Sequence, residues 1–185
     1  MASVPNPKTV TYEEWLRMPE VSDAIEEVVN GEIRIMPAPS WNHGDIMENL
    51  FVRLRQQVNT REVRVRIAEF DLIIRRRPLT TRRPDLAVFR VDTILEQDGR
   101  IHSAPQLVVE VLSPANTRRE RAEKLADYAS IAVPEVWVVS PEGRTVEVLY
   151  LEEGELRRHA ILADGLLKPK HFPNVEVQIS EIWPE

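Results

Sequence analysis

Glu110 stands inside the apolar run Leu107-Val-Val-Glu-Val-Leu112. Burying a lone carboxylate is costly, so the site around it must supply a partner, a proton or a metal ion. We read Glu110 as a metal ligand, with a core Glu paired to an arginine as the plainer alternative. A second acid, Asp85, follows Pro84 and opens another short apolar run, Leu86-Ala-Val-Phe89. It heads a core strand, although an Asp at such a place can also do no more than cap a turn. Two carboxylates on neighbouring strands can hold a hard divalent cation. Mg²⁺, with Mn²⁺ as its substitute, is the expected ion because it accepts one or two carboxylates and keeps several waters. Such an ion acidifies a bound water and neutralises charge on a phosphodiester under attack. Lys124, on the helix that follows, could orient that water or steady the charge; as a free lysine of pKa about 10.4 it is a poor base unless desolvated.

The elements that must position these groups are legible from periodicity. The Glu110 run is apolar on both faces, as in a strand covered on two sides. Ser113-Pro-Ala-Asn-Thr117 is a helix entry with Asn116 or Thr117 as cap. The helix is expected to run to about Ser130 and to bury Ala122, Leu125, Ala126 and Ala129, with Arg121, Lys124 and Tyr128 on one adjoining face. Val136-Trp-Val-Val139 is the next strand, so strand, helix and strand make a βαβ unit with its two strands parallel.

Upstream, Thr11-Tyr-Glu-Glu14 has the form of a capping box for a short helix. Ala24 to Met36 reads as a hairpin turning at Asn30-Gly31, which sets Val28 opposite Ile33 and Glu27 opposite Arg34. The plainer reading of Glu27 is therefore a cross-strand ion pair. Pro37-Ala-Pro39 breaks the strand, and Ile46, Met47, Leu50, Phe51, Leu54 and Val58 mark a helix from about Asn42 to Val58. His43 shares its inward stripe, where a packing or capping role is the commoner one.

Val63, Val65 and Ile67 alternate with arginines, and Phe70, Leu72 and Ile74 continue the period after a bend near Ala68-Glu69. Arg75 to Arg83 reads as a loop, and so does Asp92 to Ser103. Gly143 and Gly154 punctuate two strands, Thr145–Leu151 and Glu155–Ile161, an antiparallel extension, and the tail with Ile179, Ile182 and Trp183 is expected to fold back over the sheet.

A chain of 185 residues, 43% hydrophobic and 29% charged, is expected to form a single domain over residues 1–185. No apolar segment is long enough for a membrane span, and the start Met-Ala-Ser-Val-Pro lacks a basic stretch leading into an apolar one. A cytoplasmic protein is the expectation. The absence of cysteine excludes disulfides and thiolate zinc sites. The net charge of -6 argues against an indiscriminate nucleic-acid coat. Arginines nevertheless crowd Arg61 to Arg83 and Arg118 to Arg121, where the choice lies between a basic patch and solvated faces with surface ion pairs.

Glu27-Val-Val-Asn-Gly-Glu-Ile33, Pro37-Ala-Pro-Ser40 with His43, Arg83-Pro-Asp85, Leu107-Val-Val-Glu-Val-Leu-Ser-Pro114, Lys124 with Tyr128, and Val133-Pro-Glu-Val-Trp137 together resemble the Uma-type restriction endonuclease family, a branch of the PD-(D/E)XK nuclease superfamily. The resemblance spans roughly Thr11 to Leu151. It implies an α/β chain with a mixed sheet: a core of helix, three strands, helix and strand, plus the N-terminal hairpin and the C-terminal antiparallel extension. It carries Asp85 and Glu110 onto the two acids of the superfamily motif, and it suggests Glu27 and Lys124 as further positions near the site. Leu112 occupies the place of the superfamily lysine, which leaves Lys124 as the candidate.

The implied activity is Mg²⁺-dependent hydrolysis of phosphodiester bonds in DNA. Asp85 and Glu110 would be the metal ligands, with Glu27 and Lys124 beside them in the catalytic set. Arg82, Arg83, Arg118, Tyr128 and His43 are the substrate-binding candidates. The alternative is a catalytically inactive nuclease-fold protein that binds nucleic acid or another protein. No segment reads base edges recognisably. Cutting both strands of a duplex is convenient with two sites related by a two-fold axis, so a homodimer is an expectation without a residue pattern of its own.

Overall fold

The strand that carries Glu110 lies third from one end of a six-stranded mixed sheet. The computed structural model describes residues 9–19, 25–36, 38–67, 70–114 and 117–184. Ala24 at the start of the expected hairpin, Pro37, the expected bend at Ala68-Glu69 and the candidate cap Asn116 lie outside them.

Helix α1 (Tyr12–Leu16) begins in the expected capping box, the Thr11 hydroxyl accepting from the Glu14 amide at 3.2 Å and the Glu14 carboxylate accepting from the Thr11 amide at 2.9 Å. Strands β1 (Ile25–Val29) and β2 (Glu32–Met36) form the hairpin, in the register that places Glu27 opposite Arg34. Gly31 has φ +84°, and a Cβ there would stand 2.8 Å from that of Thr9, so this position needs glycine twice over. Helix α2 (Trp41–Gln57) is capped by Ser40, whose hydroxyl accepts from the His43 amide at 3.3 Å; it buries His43, Ile46, Leu50 and Leu54.

Strand β3 (Val63–Ile67) is followed by β4 (Leu72–Arg76) and β5 (Leu79–Arg82), a hairpin around the cis Arg77-Pro78 bond. The loop expected over Arg75 to Arg83 is thus half strand. Leu79, Thr80 and Thr81 are buried, and β5 lies along β1 with the Val28 amide donating to Thr81 Oγ1 at 2.9 Å and the Gly31 amide to the Leu79 carbonyl at 2.7 Å. The density of arginines masks this alternation. After β6 (Leu86–Arg90), the expected loop over Asp92 to Ser103 contains a two-residue pair, β7 (Glu96–Gln97) and β8 (Arg100–Ile101), and β8 joins β4.

Strand β9 (Leu107–Val111), helix α3 (Arg118–Ser130) and strand β10 (Glu135–Ser140) form the βαβ unit, with β9 and β10 parallel. Strands β11 (Thr145–Glu152) and β12 (Glu155–Leu162) extend the sheet antiparallel, giving the order β12-β11-β10-β9-β6-β3. The tail adds the short pair β13 (Leu166–Leu167) and β14 (Val177–Gln178). No helix among the described residues is long and apolar enough to cross a membrane.

Alternation along β9 divides the protein. Leu107, Val109 and Val111 face α2 and the tail, in one cluster with Leu50, Trp137, Ile179 and Ile182. Val108 faces the other way, with Tyr128, Val136 and Leu72, and Glu110 shares its side. Helix α3 does not bury the alanine face expected of it. Ala122 and Ala126 are exposed, while Asp127 and Tyr128 are buried. Glu110 on β9 and Arg82 on β5 meet Tyr128 and Asp127 on that side, so these buried polar groups have their partners.

Ile182, fully buried against α2 and β9, ties the tail to the core. Ile182→Ala is expected to cost about 2–4 kcal/mol in urea unfolding, and Val52→Ala, on the exposed face of α2, within about 0.5 kcal/mol.

Candidate active site

The antiparallel register of β6 with β9 pairs Leu86 with Val109. One step further along, it sets Asp85 opposite Glu110. Asp85 Oδ2 accepts the Val111 amide at 2.7 Å, and Oδ1 lies 3.2 Å from His43 Nε2, so this acid ties β6, β9 and the start of α2 together rather than capping a turn of its own. Glu110 Oε2 accepts from Lys124 Nζ at 3.0 Å, and Oε1 accepts from the Tyr128 hydroxyl. Lys124 and Tyr128 are one helical turn apart, which is how α3 presents both to the same carboxylate.

Glu27 is the hub beneath. Its Oε1 lies 3.3 Å from Lys124 Nζ and accepts the Arg83 amide at 3.0 Å; its Oε2 accepts from Arg82 Nη1 at 2.8 Å. Arg82 turns its remaining edge to Asp127, donating from Nε and Nη2 to Oδ2 at 2.9 and 2.7 Å. The cross-strand ion pair expected for Glu27 is therefore not made. Two cations closer to the core take its oxygens, and Arg34 pairs with Glu123 at 3.1 Å.

Two of the substrate-binding candidates are buried, and a third lies on the surface outside the pocket. Arg82 is 3% exposed with its guanidinium held by Glu27 and Asp127, so it cannot reach a phosphate; it is a structural cation. Tyr128 is fully buried and serves Glu110. Arg118 is exposed on the first turn of α3, outside the pocket wall. Arg83 and His43 do line the pocket. Arg83 Nε donates to the buried Asp71 at 2.6 Å. Asp71 and Asp127 were not among the candidates. Asp71 sits between Phe70 and Leu72 much as Glu110 sits among valines, a signal available in the sequence, whereas nothing in the sequence around Asp127 distinguishes it from a surface acid.

Charge governs the protonation states. Burial, with the Asp85 charge adding to it, pushes the Glu110 carboxyl up from 4.5 to about 7 even though Lys124 pulls it down. Burial alone would lower Lys124, but Glu110, Glu27 and Asp85 together hold it above its ordinary 10.5, so it stays an ammonium. Burial also works against a charged His43, and the hydrogen bond and charge of Asp85 outweigh it, raising the imidazole above 6.5. Burial lifts the Tyr128 hydroxyl well above 10, with the Glu110 charge adding to it, so it remains a donor.

Glu27, His43, Arg83, Asp85, Glu110 and Lys124 line a pocket of about 110 Å³. Among the described residues no three acids or histidines form a ready-made cage for a metal. Two facing carboxylates with room for a few waters fit Mg²⁺, which keeps much of its hydration, better than an ion that needs a full protein ligand set. The oxygen donors suit a hard cation, and the buried negative charge that raises Glu110 is what such an ion would relieve.

A mixed sheet with helices on both faces, two facing acids at adjacent strands and a lysine on the following helix defines a restriction-endonuclease-like nuclease fold. The chain belongs to the Uma2 family, described as "Putative restriction endonuclease", whose pattern matches residues 12–180. Its structure is similar to that of a "putative nuclease belonging to DUF820" from Anabaena variabilis ATCC 29413, with a TM-score of 0.75 and 21% identity, covering 94% of this chain and 97% of the other. No curated protein matches.

Two outcomes test this arrangement. Arg82→Ala removes the buried cation shared by Glu27 and Asp127, leaving only the longer contacts to Lys124 and Arg75, and is expected to cost about 3–5 kcal/mol in chemical unfolding. In EDTA, the His43 imidazole, identified in NMR by its loss in His43→Gln, should titrate above 6.5, and in Asp85→Asn lower than in the wild type, because burial is then opposed by the Glu110 charge without the Asp85 bond and charge. A histidine raised in the folded state adds stability below its unfolded pKa and loses it as pH climbs through the folded value, so this contribution fades as pH rises from 6.5 through the raised pKa of His43.

Proposed function

We propose that this protein is a Mg²⁺-dependent endonuclease that hydrolyses phosphodiester bonds in DNA. The observation that carries the reading is the pairing of Asp85 and Glu110 across adjacent strands in one pocket, with the Lys124 ammonium 3.0 Å from Glu110. Asp85 and Glu110 would hold Mg²⁺, or Mn²⁺ in its place. When bound, the ion would supply an acidified water and positive charge for the phosphate.

The chain's own residues supply the rest. Lys124, held cationic by its acidic neighbours, is a charge stabiliser and not a base; the proton not spent on Glu110 or Glu27 can meet a phosphate oxygen, where fixed positive charge is worth most. Glu27 positions Lys124 and the Arg83 backbone. His43 orients Asp85, and Tyr128 orients Glu110. Arg83 within the pocket and Arg118 on the exposed turn of α3 are the cations placed to meet the DNA backbone, which makes binding fall with salt. Two copies about a two-fold axis would bring one site to each of two strands.

A second reading has its own support: both Glu110 oxygens already have protein partners, as in a nuclease-fold module that binds nucleic acid or protein without cutting. Mn²⁺ titration with thermal melting separates the two. Saturating Mn²⁺, at a hundred times its Kd, should stabilise the wild type by about 2.7 kcal/mol and leave Asp85→Ala unmoved. Metal-dependent nicking of supercoiled plasmid should vanish in Asp85→Ala and fall about 10²–10³-fold in Lys124→Gln. No ion-linked stabilisation in the wild type, with Asp85→Ala altering only the melting temperature, would sink the catalytic reading.

A further inference from the structure

Of the four tryptophans, three have partners inside the protein. Trp15 packs with Tyr12 and lies beneath the Arg100 guanidinium, Trp137 donates its indole N–H to Glu135 at 2.7 Å, and Trp183 faces Arg144. Trp41 is 88% exposed, and among the described residues it takes part in none of the ring or cation contacts. Folding gives no account of an indole at the first position of α2, where an ordinary polar residue would serve as well.

Its position is particular. Ala38 and Pro39 just before it, and His43 just after it, all line the pocket that contains Asp85 and Glu110. Side chains on a helix lean toward its N-terminus, so the first residue of α2 covers ground on the Ala38-Pro39 side, at the pocket rim. The neighbours Ser40, Asn42 and Asp45 are polar, and the next exposed hydrophobe of the helix, Val52, is three turns away. With only the small side chains of Ala38 and Pro39 as apolar ground before it and polar residues after it, the indole is a poor seat for an apolar protein face or a lipid surface. A flat ring next to a pocket with Arg83 and Lys124 in its wall matches a ligand that is flat and apolar at one end and anionic at the other, which is a nucleotide in a strand.

We propose that Trp41 is a stacking platform for an unpaired base next to the scissile phosphate, so that the substrate is DNA with a single-stranded, gapped or branched segment at the site. In an intact duplex each base is already stacked on its neighbours and has no face to offer. The inference rests on the nuclease reading for the meaning of the pocket but is tested without metal or cutting.

The experiment is fluorescence anisotropy in EDTA at low salt with two labelled probes, a single-stranded oligothymidylate and a blunt duplex of the same length, against wild type, Trp41→Ala and Trp41→Phe, with melting curves as a check on folding. Trp41→Ala should weaken single-strand binding about fivefold or more, the loss of one base stack. Trp41→Phe should recover part of it, and duplex binding should stay within twofold. Equal binding of the single strand by wild type and Trp41→Ala, an equal loss for both probes, or no binding of either probe by the wild type overturns the inference. Plasmid nicking that depends on Asp85 while Trp41→Ala binds like the wild type removes this inference and leaves the nuclease reading standing. Trp41-dependent binding without metal-dependent nicking does the reverse.

Discussion

The Arg82 guanidinium, shut away from water between Glu27 and Asp127, is the interaction on which the rest depends. A buried cation is tolerable only when its hydrogen bonds are met, and Arg82 meets them with one acid from the N-terminal hairpin and one from α3. The hairpin, β5 and α3 are thereby fixed to each other. Such a pair adds less net stability than a hydrophobic replacement of equal volume could. What it contributes is geometry, because a planar fork with fixed donors admits few arrangements.

That geometry extends into the pocket without a break. Glu27 answers Arg82 with one oxygen and offers the other to Lys124, which reaches Glu110; Glu110 stands across from Asp85, and Asp85 holds His43. Scaffold and site are one chain of paired charges running from α3 through the hairpins to α2. On the opposite face of β9, Val109 and its neighbours are locked by apolar packing against α2 and the tail. Glu110 is thus mounted on a strand whose other side is packed in the core, and burial, with the Asp85 charge adding to it, raises its pKa.

This division explains what could be read from the sequence. Glu110 was visible because it violates an apolar run, Asp85 because it heads one, and the hairpin because Asn30-Gly31 admits few alternatives. Periodicity finds elements whose faces meet water or hydrocarbon. It does not find partners among charges, so Glu27 was matched to Arg34 across the hairpin when its oxygens belong to Arg82 and Lys124. The same blindness turned α3 the wrong way, since two alanines are a better hydrophobic signal than an Asp and a Tyr with buried partners. It also reduced β5 to a loop, because the arginines around it look solvated while Thr80 and Thr81 lie against β1.

Leu112, the position at which the resemblance described above would have a lysine, belongs to the same logic. It packs with Leu125 and Tyr128 in the cluster beneath α3, so β9 has no cation of its own next to Glu110. The ammonium arrives instead from Lys124, on a different element. A lysine on the same strand as its acid is placed by that strand alone, whereas one carried on a helix is only as well placed as the helix. The position of α3 must then be fixed to within a fraction of a hydrogen-bond length, and the means is one turn further along the same face, where Asp127 takes two donors from Arg82. Lys124 and Asp127 thus share one face of α3, and the buried arginine that holds Asp127 goes with a helix that turns its charges rather than its alanines to the sheet.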